Sequence, residues 1–443
     1  MGALLRWYLR TNLMARMLGG FVLGSAVGIV LWAAGGDLAA EVAPWISPFG
    51  AVFVQMLKMV VIPVVFATLI VGAASLPLKR FGRIGARVIV WYLATSLLAA
   101  LVGVTLALLL NPGAGIDLAG WERLAGALGD QPEEIAARGA SGAGLVDIFL
   151  GMFDNPFAAL AEGDFLPMIV FAILFGLGLR VCIEAVEGAA AARFEELVTV
   201  AETVRDVLFR IVDWILEYAP VGVLALSLVN VSLYGPSIFG PYVKVVVGVI
   251  AAIVIVVIVV YGGLIALFTR TNPLPILVRL REAALTAFVT RSSAATLPVS
   301  LQVAERDLGV REEVASFSLP LGATINMDGV CVHLPMFAVL AANLFGLELT
   351  PGSLFFLVVT TVLAAIGAGG VPGGSLMLLF LILDGLGLGA DQVAVVVALA
   401  LGVNPILDMF ETANNVTGDL VCTWVVASSE GLVTEPAHAS SAT

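Results

Sequence analysis

Two short polar runs interrupt segments of this chain that are otherwise apolar enough to cross a membrane. The first run is Thr290-Arg291-Ser292-Ser293 and the second is Asn326-Met327-Asp328-Gly329. Lipid cannot hydrogen-bond an interrupted backbone, so non-helical chain at membrane depth persists only where protein or a water-filled cavity covers it. The two runs therefore predict a polar site inside a membrane protein, of the kind that transport requires.

The composition agrees with a membrane setting. Hydrophobic residues make up 60% of the chain and charged residues 12%, against about 25% charged residues in an average soluble protein. The chain has too few charges to cover a globule of its size in water, so we expect the lipid bilayer to be its solvent. The net charge of −12 disfavours nucleic acid as a partner, and we predict none.

Basic residues gather in three clusters, which we interpret as cytoplasmic edges because Lys and Arg favour the cytoplasmic side of a membrane protein. The clusters are Arg6, Arg10 and Arg16, then Lys79, Arg80, Arg83 and Arg87, then Arg270, Arg279 and Arg281. The acidic segment from Asp117 to Glu134 lies one span beyond the second cluster, so we place it outside the cell. The apolar stretch Thr11–Trp32 has no convincing cleavage site, which predicts a retained first span with a cytoplasmic N-terminus. We expect a multi-pass plasma-membrane protein, in the inner membrane of a bacterium.

Six apolar segments are long enough to cross the hydrocarbon as helices, which takes about 20 residues. They are 12–34, 45–76, 84–110, 146–181, 205–233 and 238–269. The apolar segments that follow are short and broken by Pro, Gly and polar clusters. They predict a hairpin at 274–304, a span unwound at its middle at 312–346, a second hairpin at 352–386 and an amphipathic last span at 390–427. Two hairpins, each followed by a polar-interrupted helix, indicate a midplane site in a secondary transporter.

The polar residues of the unwound span and the last span predict a cation site. Carbonyl, Asn and Asp oxygens suit a small cation such as sodium better than thiol or imidazole does. Asp328 and Asp419 are the leading cation ligands, and Asn326 and Asn415 would add neutral oxygens.

The first hairpin predicts an anion site. Helix N-termini at a hairpin tip bind groups such as the α-carboxylate of an amino acid, and Ser292 and Ser293 fit that role. Asp408 then becomes the natural partner of an α-ammonium group, because a carboxylate inside a membrane is costly without a partner. The competing interpretation of each carboxylate is a structural bond to a neighbouring helix terminus.

At these residues the sequence resembles the dicarboxylate/amino acid:cation symporter family, which includes archaeal aspartate transporters, mammalian glutamate transporters and neutral amino acid exchangers. The match runs over nearly the whole chain and is densest from Thr286 to Thr423. Four motifs carry it: residues 290–298 (TRSSAATLP), 322–329 (GATINMDG), 369–373 (GGVPG) and 415–419 (NVTGD).

The resemblance implies an all-α membrane protein with eight transmembrane helices and two re-entrant helical hairpins, the glutamate-transporter-like elevator fold, assembled as a homotrimer. A transport domain would slide past a trimeric scaffold. Spans 1 and 2 (1–83) and spans 4 and 5 (146–236) would form the scaffold, and span 3 (84–111) with residues 237–427 the transport domain. Residues 112–145 would form an extracellular acidic loop, and residues 428–443 a flexible C-terminal tail.

The resemblance also implies sodium ions, and no organic cofactor. The first sodium site would use the carbonyls of Gly322, Asn326 and Asn415 with the carboxylate of Asp419. The second would use the carbonyls of Thr324, Ala365, Ile366 and Ala368. The third would use Tyr92, Thr95, Ser96, Asn326 and Asp328.

For the substrate, the resemblance implies residues that hold the α-carboxylate and α-ammonium groups of an amino acid. They are Ser293, Val371, Asp408, Thr412 and Asn415. Acidic amino acid transporters of the family have an Arg three residues after the aspartate that matches Asp408, and a Thr after the Asn-Met-Asp-Gly motif. Here those two positions hold Glu411 and Val330. Replacing a cation by a potential anion turns an attraction of several kcal/mol at intermediate dielectric into a repulsion of the same order, so we do not expect glutamate, aspartate or dicarboxylates as substrates.

Glu411 could act in three ways. It could pair with a cationic substrate, accept hydrogen bonds from a polar neutral side chain, or be protonated or paired with another group and shape the pocket. His333 is a candidate for that other group, although a membrane histidine more often makes a helix–helix hydrogen bond. Leu334 occupies the position of the proton-carrying glutamate of mammalian members, so proton countertransport through that position is not expected.

We therefore predict a sodium-coupled symporter of a neutral amino acid, with a cationic or doubly zwitterionic amino acid (arginine, lysine or cystine) as the alternative substrate. An anion channel is a rival class, but two hairpin gates with discrete cation sites favour coupled transport. An intramembrane enzyme is another, but no nucleophile, base and orienting group accompany Asp328 and Asp419, and we predict that the protein is not an enzyme.

Overall fold

The structure is a computed structural model that describes residues 11, 13–74, 82–114, 150, 153–162, 165–367 and 373–434. Within these ranges the chain is helical almost throughout, and the one β-type pairing there is an isolated bridge between Val310 and Val433. The predicted all-α class is confirmed. The predicted acidic loop beyond residue 114 and the tip of the second hairpin at 368–372 lie outside the described residues.

Long apolar helices make up the first half of the described chain. They are α1 (Leu13–Ala34), α2 (Gly36–Ala74), α3 (Gly82–Leu110), the short α4 (Pro156–Glu162), α5 (Phe165–Ala185), α6 (Ala189–Tyr234) and α7 (Phe239–Ile255). A π-helical turn, Val256–Tyr261, joins α7 to α8 (Gly262–Thr269). Helix α6 starts well before the predicted span at 205–233, because residues 189–204 form a charged but helical extension.

A series of shorter helices and one long final helix follow. They are α9 (Pro273–Arg279), α10 (Arg281–Thr290), α11 (Ser293–Gln302), α12 (Glu312–Ile325), α13 (Asp328–Phe345), α14 (Pro351–Ala365), α15 (Gly374–Gly385) and the unbroken α16 (Ala390–Ser429). Helices α10 and α12 end at the two polar runs. Helices α10 and α11 form the first predicted hairpin, and α14 and α15 flank the tip of the second.

Local chemistry explains the two helix breaks. Arg291 adopts the left-handed conformation with φ 54°, and the side chain of Ser292 caps α11 by accepting from the backbone N–H of Ala295, as an N-cap serine does. Asn326 and Met327 are non-helical, with φ near −105° and −109°. The unwound middle of the span predicted at 312–346 is therefore present between α12 and α13.

The helices pack in two groups. Helices α1, α2, α5 and α6 pack mainly on one another, while α13 packs on α3, α7 and α16, and α16 also packs on the hairpin helix α10 and on α12. The groups meet where α15 and α16 lie against α1, α2 and α6. The site residues named from the sequence that lie in the described ranges fall in the second group.

Seven helical segments of the described chain are long and apolar enough to cross a membrane, and the segment Glu312–Phe345, which contains α12, the break and α13, is one of them. Eight spans were predicted, and α16 is not among the seven. Many large apolar side chains on these helices are exposed, such as Trp45, Leu109 and Leu267, as suits helices that face lipid or another subunit.

The first residues of the predicted tail, 428–443, are helical or paired with other backbone in the structure. Helix α16 continues to Ser429, and the backbone beyond it pairs with the connection between hairpin 1 and α12. Arg311 N–H donates to the carbonyl of Leu432, and Thr434 N–H donates to the carbonyl of Gly309. The part of the tail that follows Thr434 lies outside the described residues.

Candidate functional site

A cavity lies where the first hairpin, the break between α12 and α13, the start of α15 and the middle of α16 meet. It is lined by Arg291, Ser293, Met327, Val330, Gly374, Ser375, Asp408, Glu411, Thr412 and Asn415. A cavity of this kind suits a small polar molecule.

Three polar side-chain atoms on residues of this cavity have no hydrogen-bond partner among the described residues. They are the Oγ atoms of Ser293 and Ser375 and the Oε2 atom of Glu411. All three side chains are almost fully buried, with 1–2% of each residue exposed. Buried polar groups are nearly always hydrogen-bonded, so these atoms make the cavity a candidate site for a polar ligand.

Asp408 lies in this cavity with partial partners. Its Oδ2 is 3.8 Å from Nη1 of Arg291 and accepts from the backbone N–H of Gly373 at 3.4 Å. Arg291 comes from the first hairpin and Gly373 from the second, so this carboxylate connects both hairpins with α16. Neither contact is short, which leaves the carboxylate able to accept from an ammonium group.

The serines of the hairpin tip divide between two roles. Ser293 lines the cavity at the first turn of α11, where backbone N–H groups favour an anion. Ser292 does not line the cavity in the described chain, and its hydroxyl serves as the N-cap. Thr412 does line it, with its hydroxyl donating to the carbonyl of Asp408 at 2.7 Å.

Glu411 forms a hydrogen-bonded pair with His333. The Oε1 atom of Glu411 contacts Nδ1 of His333, and both side chains are buried. His333 comes from α13 and does not line the cavity, so Oε1 is directed away from it and Oε2 is the carboxylate atom left for a ligand. Val330, one turn before His333 on α13, adds an apolar contact to the same cavity.

The predicted cation ligands form a connected buried network beside the cavity. Ser96 Oγ donates to Asp328 Oδ1 at 2.7 Å, and Asn326 Nδ2 donates to Asp419 Oδ1 at 2.9 Å. The hydroxyl group of Thr95 donates to Asn326 Oδ1 at 3.3 Å. Helices α3, α12, α13 and α16 thus bring two carboxylates and several neutral oxygens together, a donor set that suits a small hard cation.

Two further residues complete this network. The hydroxyl group of Tyr261, in the π-helical turn, donates a hydrogen bond to Asp328 Oδ2 at 2.8 Å. Tyr92 donates to the carbonyl of Ser318 at 2.9 Å. A Cβ atom on Gly322 would fall 2.5 Å from Asp419 Oδ1 and 2.7 Å from the Tyr92 hydroxyl, so the carboxylate lies directly against the Gly322 backbone.

Asn415 joins the cavity to the helix break. Its Oδ1 accepts from the backbone N–H of Gly329 at 2.6 Å, and its Nδ2 lies 3.3 Å from Met327 Sδ. Asn415 also lines the cavity. One side chain therefore contacts both the break that carries Asp328 and the space for a ligand.

The residues predicted for the remaining cation site are only partly described. Thr324 lies near the C-terminus of α12. Ala365 is the last residue of α14, and Ile366 follows it as the C-cap. Ile366 packs against a buried cluster that includes Leu321 and Ile325 of α12. Ala368 of this set, and Val371 of the predicted substrate set, lie outside the described residues.

Sequence reasoning missed four residues that line the cavity: Arg291, Met327, Gly374 and Ser375. A signal existed for Ser375, because it follows the glycine-rich tip of hairpin 2 as Ser293 follows the tip of hairpin 1. Arg291 stands inside the first polar run. Tyr261 gave no sequence signal, since the residues around it form an uninterrupted apolar segment.

Comparison with known proteins gives a consistent picture. The sequence model of the sodium:dicarboxylate symporter family matches residues 13–429. A proton/glutamate-aspartate symporter of Escherichia coli (strain K12) is 33% identical over 387 residues, covering 87% of this chain and 85% of the relative. A proton/sodium-glutamate symport protein of Geobacillus stearothermophilus is 29% identical, covering 94% of each chain. The serine/threonine transporter SstT of Bifidobacterium adolescentis is also 29% identical, covering 93% of this chain and 89% of the relative.

Proposed function

Because the chain belongs to the sodium:dicarboxylate symporter family, we propose that it is a sodium-coupled symporter whose substrate is a neutral amino acid. The family consists of secondary transporters of the membrane, so the prediction that the protein is not an enzyme is confirmed. Relatives are named for acidic amino acids and for serine and threonine. The substrate class therefore has to be argued from the residues of the cavity.

The observation that carries the proposal is the buried pair of Glu411 and His333. Glu411 of this pair occupies the position where an arginine would be expected in a transporter of acidic amino acids. A substrate with an anionic side chain would meet the carboxyl groups of Glu411 and Asp408 in a buried cavity. Arg291 of the same lining is 3.8 Å from Asp408 Oδ2 and so already faces a carboxylate. A cationic side chain would meet a carboxyl group that His333 already contacts through Oε1. A neutral side chain meets neither obstacle.

The remaining cavity residues suit the two groups that all amino acids share. Asp408 can accept from the α-ammonium group because its contacts to Arg291 and Gly373 are long. Ser293, at the N-terminal turn of α11, can donate to the α-carboxylate. Asn415 and Thr412 border the same space, and Val371 completes the set by the resemblance.

Sodium is proposed as the coupling ion, at the network of Asp328, Asp419 and Asn326. Its ligands are oxygens from four helices, and two carboxylates without a cation would be costly at this depth. Relatives named for proton coupling exist. The position of the proton-carrying glutamate is occupied by Leu334, a fully buried apolar residue, which favours sodium.

The two packing groups support an elevator mechanism in a homotrimer. Helices α1, α2, α5 and α6 would form the stationary scaffold at the trimer axis. Helix α3, the hairpins and α12, α13 and α16 would carry the cavity and the cation network as one moving unit. Such a protein would reside in the inner membrane of a bacterium with its N-terminus in the cytoplasm.

Thermal unfolding of the purified protein tests this proposal. The midpoint is measured in sodium and in choline chloride with each of the twenty amino acids and cystine, because a ligand of the folded state raises the midpoint by mass action. We expect neutral amino acids to raise it in sodium only, and Asp419→Asn to abolish the sodium dependence. Shifts by arginine, lysine or cystine would favour the alternative substrate class, and shifts by aspartate alone would refute both.

A further inference from the structure

The side-chain end of the cavity is built to accept a hydrogen bond. Glu411 has one carboxylate oxygen bonded to His333 and the other without a partner among the described residues. His333 lies outside the cavity lining and is fully buried. The pair therefore holds the carboxyl group in one orientation, with Oε2 left as an acceptor.

A second polar atom lies on the same cavity. Ser375 is in the first turn of α15, is 2% exposed and has no partner for its hydroxyl within the described part of the chain. A serine hydroxyl can both donate and accept. Val330 and Met327 make the neighbouring wall apolar, so hydrogen bonding at this end is limited to a few directions.

We infer that the substrate's side chain is neutral and carries a hydrogen-bond donor such as a hydroxyl group, which Glu411 accepts while His333 acts as a positioning residue. This inference rests on the proposed function and narrows its substrate class. A site built to hydrogen-bond a substrate hydroxyl strongly rejects an analogue that lacks it, because the polar groups of the site then stay unpaired.

Binding of three analogues tests the inference. Threonine, valine and α-aminobutyrate share the α-ammonium and α-carboxylate groups. In place of the threonine hydroxyl, valine has a methyl group and α-aminobutyrate has a hydrogen. Their dissociation constants are measured by calorimetry in sodium. We expect threonine to bind roughly 10- to 100-fold more tightly than α-aminobutyrate, the range of one hydrogen bond to a charged group.

The double variant His333→Leu/Glu411→Leu identifies the pair as the source of this preference. Replacing both members of a buried pair by apolar residues is often neutral for stability, whereas removing one member leaves the other unpaired. We expect the threonine preference to fall to about onefold or to invert towards valine. The readout is the ratio of affinities, which a general loss of stability would not change.

Single variants separate positioning from packing. His333→Asn keeps an N–H donor close to the position of Nδ1 and is expected to retain most of the preference, while His333→Leu is expected to lose it. Ser375→Ala is expected to reduce the preference, and its control is Ser227→Ala, another buried serine without a partner in the described chain but far from the cavity lining.

The outcomes distinguish the two proposals. If the wild-type protein binds all three analogues within about threefold of one another in sodium, the inference is overturned and the proposed function stands. If neutral amino acids fail to bind and aspartate or arginine binds, both the proposed function and the inference that rests on it are refuted. A preference for threonine that survives in the double variant would place the hydroxyl contact on another residue.

Discussion

Gly322 shows how a single missing side chain shapes the cation network. A methyl group there would fall 2.5 Å from Asp419 Oδ1, a distance that real Cβ contacts do not reach. We expect Gly322→Ala to displace the carboxylate and to lower the apparent sodium affinity by at least about tenfold, since a shift of about 1.4 kcal/mol suffices for that factor. The measurement is the thermal midpoint as a function of sodium concentration.

Gly178→Ala is the matched control for this change. Gly178 lies in α5, and nothing would come within 4 Å of its Cβ atom. Alanine favours helix over glycine, so this variant should keep the sodium response and be no less stable. An unchanged sodium response in Gly322→Ala would show that Asp419 does not face the cation.

Some residue-scale features could be predicted from the sequence and others could not. Asp328, Asn326 and Asp419 stood out because carboxylates and amides are rare inside apolar segments, and the structure brings them together. The contact between Glu411 and His333 could only be raised as one of three options, because it depends on which faces of α13 and α16 meet. One sequence shows the spacing along each helix but not the rotation of one helix against another.

At the scale of elements, α1 and α6 are packed so closely that their backbones touch. Cβ atoms on Gly20, Gly24 and Gly28 would each fall less than 3 Å from backbone atoms of α6. We expect Gly24→Ala, whose Cβ would lie 2.4 Å from the Leu224 carbonyl oxygen, to destabilise the protein by about 1–3 kcal/mol, the usual effect of overpacking. Thermal unfolding with and without sodium measures it, and the sodium-induced shift itself should remain.

Gly19→Ala is the control on the same helix, one residue away from Gly20. Its Cβ would meet nothing within 4 Å. Equal unfolding midpoints for the variants at positions 19 and 24 would show that α1 and α6 separate without loss. A loss of the sodium-induced shift in Gly24→Ala would contradict the division of the helices into two packing groups.

Helix breaks were easier to predict than helix ends. The break after Ile325 and the tip of hairpin 1 follow from residues that cannot continue an apolar helix and that need a polar environment. The start of α6 at Ala189 was missed because its first turns are charged, and hydropathy finds only the part of a helix that lies in lipid. The pairing of Leu432 with Arg311 involves backbone atoms alone, so side-chain chemistry gave no sign of it.

At the scale of the whole molecule, coupled transport requires that ligand binding at the proposed cation sites and at the proposed amino acid site affect each other. Asn415 is placed to connect them, since it lines the cavity and its side chain holds the N–H of Gly329, next to Asp328. Filling either site restrains this amide and with it the helix break. The coupling should therefore run in both directions with the same factor, as linkage demands of any two binding sites.

We expect sodium to tighten amino acid binding by roughly 5- to 150-fold, and the amino acid to tighten sodium binding equally. Asn415→Ala keeps the backbone carbonyl but removes the bond to Gly329, so it should bring both factors towards onefold. Asn343→Ala, which removes an amide on α13 that bonds to Asn111 and Pro112 away from the cavity, should leave them unchanged. Calorimetric titrations of each ligand with and without the other measure the four affinities. Coupling that persists undiminished in Asn415→Ala would mean that the hairpin tips, rather than the helix break, connect the two sites.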